Sequence, residues 1–277
     1  MLKRVVENQL LDWKNSADKK PLIVYGMRQC GKTYSVINFA KQNYENVCYI
    51  NFLTNPEYEK IFADSLEVDD IIQKIKVTIR EKIEFIPYKT IIILDEIQIV
   101  PRARMAFKFL CIDGRYDVIA TGSLLGVRSY GKDNISIPVG YETRINMYPL
   151  NFEEFLIANG IDENIIITLK NNIENKSKIM EAVHARFNEL LKLYIVVGGM
   201  PAAIQSYLDT NDLNVVEEKQ KEILSLYKLD ISQYDPDKKL EINEIFELIP
   251  SELDAKNKRF ILKNLNEHAR FSKYEGS

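Results

Sequence analysis

The chain has 277 residues, enough for two domains with sizeable cores. Its 37 basic and 40 acidic side chains leave a net charge of -3, so no global positive field draws it to nucleic acid or anionic membrane and any such contact has to be local. Three scattered cysteines, Cys30, Cys48 and Cys111, lack metal-ligand spacing and fit a reducing cytosol better than a disulfide framework. No stretch has the apolar length of a membrane span or the apolar core of a signal peptide, so the expectation is a soluble, cytoplasmic protein with no membrane partner.

Leu2, Val5, Val6, Leu10 and Trp13 fall on one stripe and predict a helix over residues 2–13. Pro21 opens a first strand, Leu22 to Tyr25, which stops at Gly26; Met27, Arg28, Gln29 and Cys30 follow, then Gly31, Lys32 and Thr33, with Tyr34 beyond. This is the pattern G-x-x-x-x-G-K-[ST] in its required setting, between a strand and a helix expected over 32–43. Glycines at both ends let a loop turn its backbone N–H groups inward around a polyphosphate. Lys32 then reaches the β- and γ-phosphates, the hydroxyl of Thr33 holds Mg²⁺, and the helix dipole favours the same anion. The alternative, a βα turn that binds nothing, is outweighed by the complete pattern. Cys30 is either a thiol activated by Lys32 and the helix N-terminus, or simply a residue small enough to fit.

A second strand is expected over 47–52, and Asn55-Pro56 begins a helical passage running to about Ile83, with Ile71, Ile72, Ile75, Ile79 and Ile83 at three- and four-residue steps. Thr90 to Leu94 reads as a strand buried on both faces, ending in Asp95-Glu96. A helix near Ala103 to Cys111, a fourth strand from Asp117 to Thr121 ending in Gly122-Ser123, and a fifth from Thr143 to Met147 complete the series. Such alternation implies a mainly parallel sheet with helices on both faces, whose ligands sit at the carboxyl ends of the strands. Gly26, Asp95, Glu96, Thr121 and Ser123 all fall there. Asp95 is placed to hold the Mg²⁺ shell and Glu96 to polarise a water for attack on the γ-phosphate, a pairing that implies hydrolysis; an exposed acidic strand end is the competing explanation. Thr121 or Ser123 either orients that water, touches the γ-phosphate, or caps a following helix.

After Tyr148-Pro149 the periodicities are helical: one helix starts at Asn151, a long one runs from about Ser177 to Tyr194, and others follow Pro201 and Leu213. Gly198-Gly199-Met200-Pro201 is a helix stop followed by a new start with Pro in its first turn, or a contact from this region to a nucleotide base. The division is therefore 1–150 for the phosphate-binding core, 151–234 for a helical lid and 235–277 for the start of a further domain, with Asp235 to Lys239 as linker. Lys256, Lys258, Arg259, Lys263, Arg270 and Lys273 make that last segment locally basic, which suits either a DNA contact or an ordinary charged helix face.

The stretches GMRQCGKT, IIILDEIQ, DVIATGSLLGV, MYPLNFEEFL and YIVVGGMPAAI together resemble a family of bacterial and archaeal AAA+ ATPases. In that family an N-terminal ATPase module precedes a C-terminal domain of unknown function. The likeness covers nearly the whole chain, and its first two motifs are the most specific. It implies an α/β P-loop NTPase fold, with a five-stranded parallel sheet in the order 5-1-4-3-2 and a helical lid. By resemblance Lys32 and Thr33 bind phosphate and Mg²⁺, Asp95 and Glu96 form the Walker B pair, and Ser123 or Thr121 lies at the first sensor. Gly199-Met200-Pro201 is similar to the G-x-P element by which related signalling ATPases contact the base. Residues 249–262 resemble the opening of a winged-helix region, so the expectation is a chain cut short there. Arg104, Arg128 and Arg144 are candidates for an arginine finger, with a solvated surface charge as the default role of each. The expected function is ATP binding and Mg²⁺-dependent hydrolysis coupled to lid and C-terminal movement, with a DNA or protein partner at the C-terminal region and oligomerisation both open. The alternatives are a nucleotide-gated switch or DNA-associated binding module with little turnover, and a small-molecule phosphotransferase.

Overall fold

The computed structural model describes residues 2–123, 140–234 and 239–254. The backbone separates into two compact units, Met1–Leu208 and Asp209–Ser277. In the first, β1 (Leu22–Gly26), β2 (Asn46–Asn51), β3 (Thr90–Asp95), β4 (Asp117–Ser123) and β5 (Thr143–Met147) pair in parallel in the order β2-β3-β4-β1-β5. That is the expected order, 5-1-4-3-2, taken from the other edge.

Parallel pairing requires crossovers, and the crossover helices cover both faces of the sheet, so β1 and β3 are buried at every position. On one face α1 (Val5–Lys14) and α2 (Lys32–Asn43) bring Leu10, Trp13, Val36 and Phe39 onto Leu22, Val24, Ile91 and Ile93. On the other, α3 (Val68–Thr78), α4 (Pro101–Met105) and α5 (Phe107–Asp113) bring Ile71, Ile75, Ala103, Phe107 and Leu110 onto Ile23, Ile92 and Leu94. Successive branched residues of β3 thus feed alternate cores, as a period of two requires. Because every strand points the same way, their carboxyl ends share one edge. The register sets Gly26 beside both Ser123 and Met147, and Asn51 beside Asp95.

Four helices complete this part of the chain: α6 (Phe152–Ala158), α7 (Glu163–Glu174), α8 (Glu181–Val197) and α9 (Pro201–Thr210). The second unit contains α10 (Leu213–Tyr234) and α11 (Lys239–Asp254). Apart from shifted ends in α1, expected over 2–13, and α8, expected from about Ser177 to Tyr194, three elements differ from expectation. The passage from Asn55 to Ile83 is a 3₁₀ turn, Pro56–Phe62, followed by α3, which stops at Thr78 where Val77, Thr78 and Ile79 place three β-branched side chains in a row. The helix expected over 103–111 begins earlier, at Pro101, and is divided at Ala106 into α4 and α5. Helix α7, capped by the Asp162 carboxylate accepting from the N–H of Asn164, falls within the helical stretch expected after Asn151 but not as a separate element, although Ile166, Leu169 and Ile173 recur at three- and four-residue steps. Residues 124–139 with Arg128, the linker residues 235–238 and the basic segment 255–277 lie outside the described residues. Among those described, no single helix is long and apolar enough to cross a membrane.

Candidate functional site

The loop between β1 and α2 is shaped by two left-handed residues, Gln29 at φ 60° and Gly31 at φ 94°, flanking Cys30. Alternation of this kind curls successive peptide groups into an anion-binding concavity. Gly31 has the conformation only glycine adopts freely, while Gly26 is fixed for a different reason: a Cβ there would run into the carbonyl oxygen of Met147 on β5. Lys32, buried, donates from Nζ to the carbonyls of Gly26 at 3.0 Å and Met27 at 2.7 Å. An ammonium has three N–H donors, and these bonds use two. Arg28 stands in the same loop, and Met27 and Tyr34 are exposed at its mouth.

Asp95 ends β3 at 2% exposure and gathers four side chains from three elements. The Thr33 hydroxyl, in the first turn of α2, donates to it at 3.0 and 3.2 Å. From β2 the Tyr49 hydroxyl donates at 2.7 Å and Asn51 Nδ2 at 3.0 Å, and Thr121 Oγ1 donates from β4. Burial, with Asp95 beside it, pushes the Tyr49 phenol up to about 12, which keeps it a donor at neutral pH. The hydroxyl of Thr33 and the carboxylate of Asp95 are the hard oxygen ligands that Mg²⁺ takes sparingly from proteins, so the pair fits that ion. Among the described residues no group of three or more His, Cys, Asp or Glu converges, so remaining ligands would come from phosphate and water.

Glu96, next along, is left-handed at φ 58° and ψ 46° and turns the chain out of the sheet into a short 3₁₀ segment, Ile97–Ile99. A non-glycine residue held there stores strain of ~1–3 kcal/mol, the kind found where a side chain is aimed for use. Its carboxylate accepts from Gln98 Nε2, and Gln98 Oε1 accepts from the N–H of Ser123 at 3.4 Å. Gly122 leaves room for that amide. Thr121 and Ser123 thus divide. The Thr121 hydroxyl donates to Asp95, whereas Ser123 is buried beside Gly26 at the end of β4.

Pro201 begins α9, as a helix start would have it, and also faces the loop, with Cγ 3.9 Å from a Cβ built on Gly31. Between them lies a cavity of about 360 Å³ whose walls include Leu2, Gly31, Tyr34, Pro201 and Gln205. The approach to Pro201 is fixed by backbone. Gly199 carbonyl accepts from the N–H of Leu150 at 2.7 Å, a side chain at Gly199 would strike the Leu150 carbonyl, and Tyr194 donates to that carbonyl at 2.7 Å.

Of the two readings of Cys30, a small residue that fits agrees with its full burial, which pushes the thiol pKa up and outweighs the lowering by Lys32 and Arg4. One expectation is corrected: Arg104 is not a solvated surface charge. It is 1% exposed and binds Glu142 through Nε at 2.9 Å and Nη2 at 2.6 Å, while the more exposed Arg144 joins the same carboxylate at 2.6 Å. Sequence reasoning also missed Tyr49, Asn51, Gln98, Arg4 and Glu154. Tyr49 and Asn51 had a signal, polar groups at i and i+2 on one face of a strand whose interior is otherwise Val47, Cys48 and Ile50. Glu154 had another, because Asn151-x-x-Glu154 is a capping box and both of its bonds are present, at 2.9 and 2.8 Å. Arg4 and Gln98 had none.

A family model described as an AAA domain matches residues 18–156, and a second, described as a domain of unknown function, matches residues 188–276. An uncharacterised protein of Haemophilus influenzae is 25% identical over 206 residues, covering 72% of this chain and 43% of that protein. The chain therefore spans less than half the length of that relative. Among solved structures, a Walker-type ATPase of Pyrococcus abyssi is similar at 16% identity over 92% of this chain and 78% of that one, with a TM-score of 0.44. AMPPCP-bound DnaA from Aquifex aeolicus is similar at 13% identity over 96% and 81%, with a TM-score of 0.41.

Proposed function

The chain belongs to the AAA domain family, whose model spans residues 18–156, and from that premise we propose that it binds ATP and hydrolyses it to ADP and phosphate with Mg²⁺. The observation that carries this reading is the convergence, at one edge of the sheet, of Lys32, the Thr33–Asp95 pair and Glu96. The polyphosphate lies in the loop from Gly26 to Thr33, and the base enters the cavity between Gly31 and Pro201. The third N–H of Lys32 is directed to a β- or γ-phosphate oxygen. Thr33 and Asp95 hold Mg²⁺, which when bound neutralises charge on the phosphate oxygens. The carboxylate of Glu96 takes a proton from the attacking water as its oxygen bonds to the γ-phosphorus and the bond from γ-phosphorus to the bridging oxygen breaks. Gly198, at φ 76°, between α8 and α9, supports a hinge on which a lid turns as nucleotide is bound and cleaved.

Purified protein should release phosphate from Mg-ATP without any added acceptor. Release that depends on a small-molecule acceptor would point to a phosphotransferase instead. One observation favours a second reading, a nucleotide-gated switch with little turnover: the Glu96 carboxylate is engaged by the Gln98 amide. Tight ATP binding with no phosphate release, with or without DNA or protein, would select it. The free, buried Cys30 and Cys48 suit a reducing compartment such as the cytoplasm. We assign partner binding, to DNA or protein, to the region from 235 onward; salt-sensitive retention of duplex DNA by a longer chain is its test.

A further inference from the structure

Arg4 stands outside every motif, yet its guanidinium lies against the phosphate loop and works in three directions. Nη1 donates to the carbonyl of Cys30 at 2.8 Å, Nη2 to the carbonyl of Tyr148 at 2.7 Å, and Nε to Oε1 of Glu154 at 3.1 Å. The two charged side chains are 7% and 6% exposed. A buried ion pair is weak evidence for stability, because desolvation offsets the attraction. What this one supplies is direction. The Cys30 carbonyl and the Gly31 N–H belong to one planar trans peptide, so a carbonyl drawn toward Arg4 turns that N–H the opposite way. Glu154 extends the link: Oε1 also accepts from the N–H of Val5 at 2.6 Å and Oε2 from the N–H of Asn151 at 2.8 Å, where α6 begins.

We infer that Arg4 is a positioning residue for the polyphosphate, fixing the Cys30–Gly31 peptide with its N–H turned into the cradle and tying that peptide through Glu154 to the first turn of α6. The inference rests on the nucleotide reading above. Lysine at position 4 keeps the charge but not a planar fork able to serve three acceptors.

The test is to measure ATP, ADP and AMP affinities and thermal midpoints for the chain and its Arg4→Lys variant. ATP and ADP should weaken about tenfold, the size of one lost bond to a charged group, and AMP by much less, so the preference for ATP over AMP narrows about tenfold. A lower midpoint with the preference unchanged would mean that Arg4 only holds the fold together, and would overturn the inference. Should Arg4→Lys fail to fold, Glu154→Gln takes its place: a narrowed preference supports the link, and an unaltered one removes it. An unsubstituted chain with no preference for ATP over AMP would instead strike the nucleotide reading itself.

Discussion

Replacing Asp95 by Asn separates what the carboxylate does for the fold from what it does for a cation. The side chain is 2% exposed, and its donors, Thr33, Tyr49, Asn51 and Thr121, are all uncharged. Burying an anion costs several kcal/mol, which bonds worth ~1.5–3 kcal/mol each to a charged acceptor offset. Asn has the same shape. Its amide NH₂ belongs on the Oδ1 side, where the Thr33 and Thr121 hydroxyls can rotate to accept, because on the Oδ2 side it would meet the NH₂ of Asn51. Weaker bonds and a smaller desolvation cost then nearly cancel, and we expect a stability change within about 1.5 kcal/mol, or roughly 5 °C in the midpoint for a unit of this size. Mg-ATP at a hundred times its dissociation constant adds ~2.7 kcal/mol to the unsubstituted chain, roughly 5–10 °C. Thermal melts with no nucleotide, with ATP and Mg²⁺, and with ATP and chelator should show an Mg²⁺-dependent increment in the parent and none in Asp95→Asn. A variant that keeps the increment would place the cation elsewhere, and one that does not melt cooperatively would make the carboxylate a structural group.

Glu96→Gln should retain ATP binding while phosphate release falls by ~10²–10⁴-fold, the usual worth of a positioned base; release at the parent rate would sink the assignment. Gly26→Ala places a methyl on the backbone carbonyl of Met147, which belongs to a neighbouring strand and cannot swing aside. A loss of at least ~2 kcal/mol in urea melts is expected, and a neutral outcome would show that β5 moves freely against β1. Burial opposes ionisation of Glu142, but hydrogen bonds from Arg104 and Arg144 hold its carboxyl below the usual range. Its folded pKa is therefore below the unfolded one, so its contribution is complete above about pH 4.3 and lost as pH falls through the folded value. The parent's melting midpoint should drop more steeply than that of Glu142→Gln below about pH 4.3, and parallel pH profiles would contradict this.

The sheet was legible because its cause is local. Each strand is a short branched run, each is followed by a turn residue or a helix, and a parallel sheet with one ligand edge is what such a series makes. The loop and the acids at 95 and 96 were legible for the same reason, being contiguous in sequence. What the sequence concealed is lateral. Asn51 and Tyr49 meet Asp95 only because β2 lies beside β3 in register, and no periodicity along β2 announces its neighbour. Arg104 read as surface charge because an arginine in a short helix usually is one, and its partner Glu142 is 38 positions away. The choice left open at Cys30 turns on a competition between effects that sequence does not weigh: Lys32 and Arg4 lower its pKa, but complete burial raises it more.

Those lateral contacts bear on how the site can respond to its ligand. Two cations hold the loop: Lys32 binds its first carbonyls, and Arg4, itself in the wall of the cavity between Gly31 and Pro201, binds the carbonyl of Cys30. A phosphate that takes the third Lys32 donor meets an ammonium whose bonds can shift cheaply, whereas the planar guanidinium of Arg4 has each of its three directions occupied and is held in one orientation. Its other two acceptors, the Tyr148 carbonyl and Glu154, flank the Leu150 N–H that donates to Gly199, two residues before Pro201 in the cavity wall. Loop and cavity wall are therefore joined by hydrogen bonds through residues 148–154, and on the proposed reading a nucleotide that reaches both ends would load that connection according to the length of its phosphate chain. ADP and ATP should therefore differ in how strongly they protect the amides of 148–154 from hydrogen exchange, and Arg4→Lys should erase the difference. Equal protection by both nucleotides in the parent would leave the connection a passive brace.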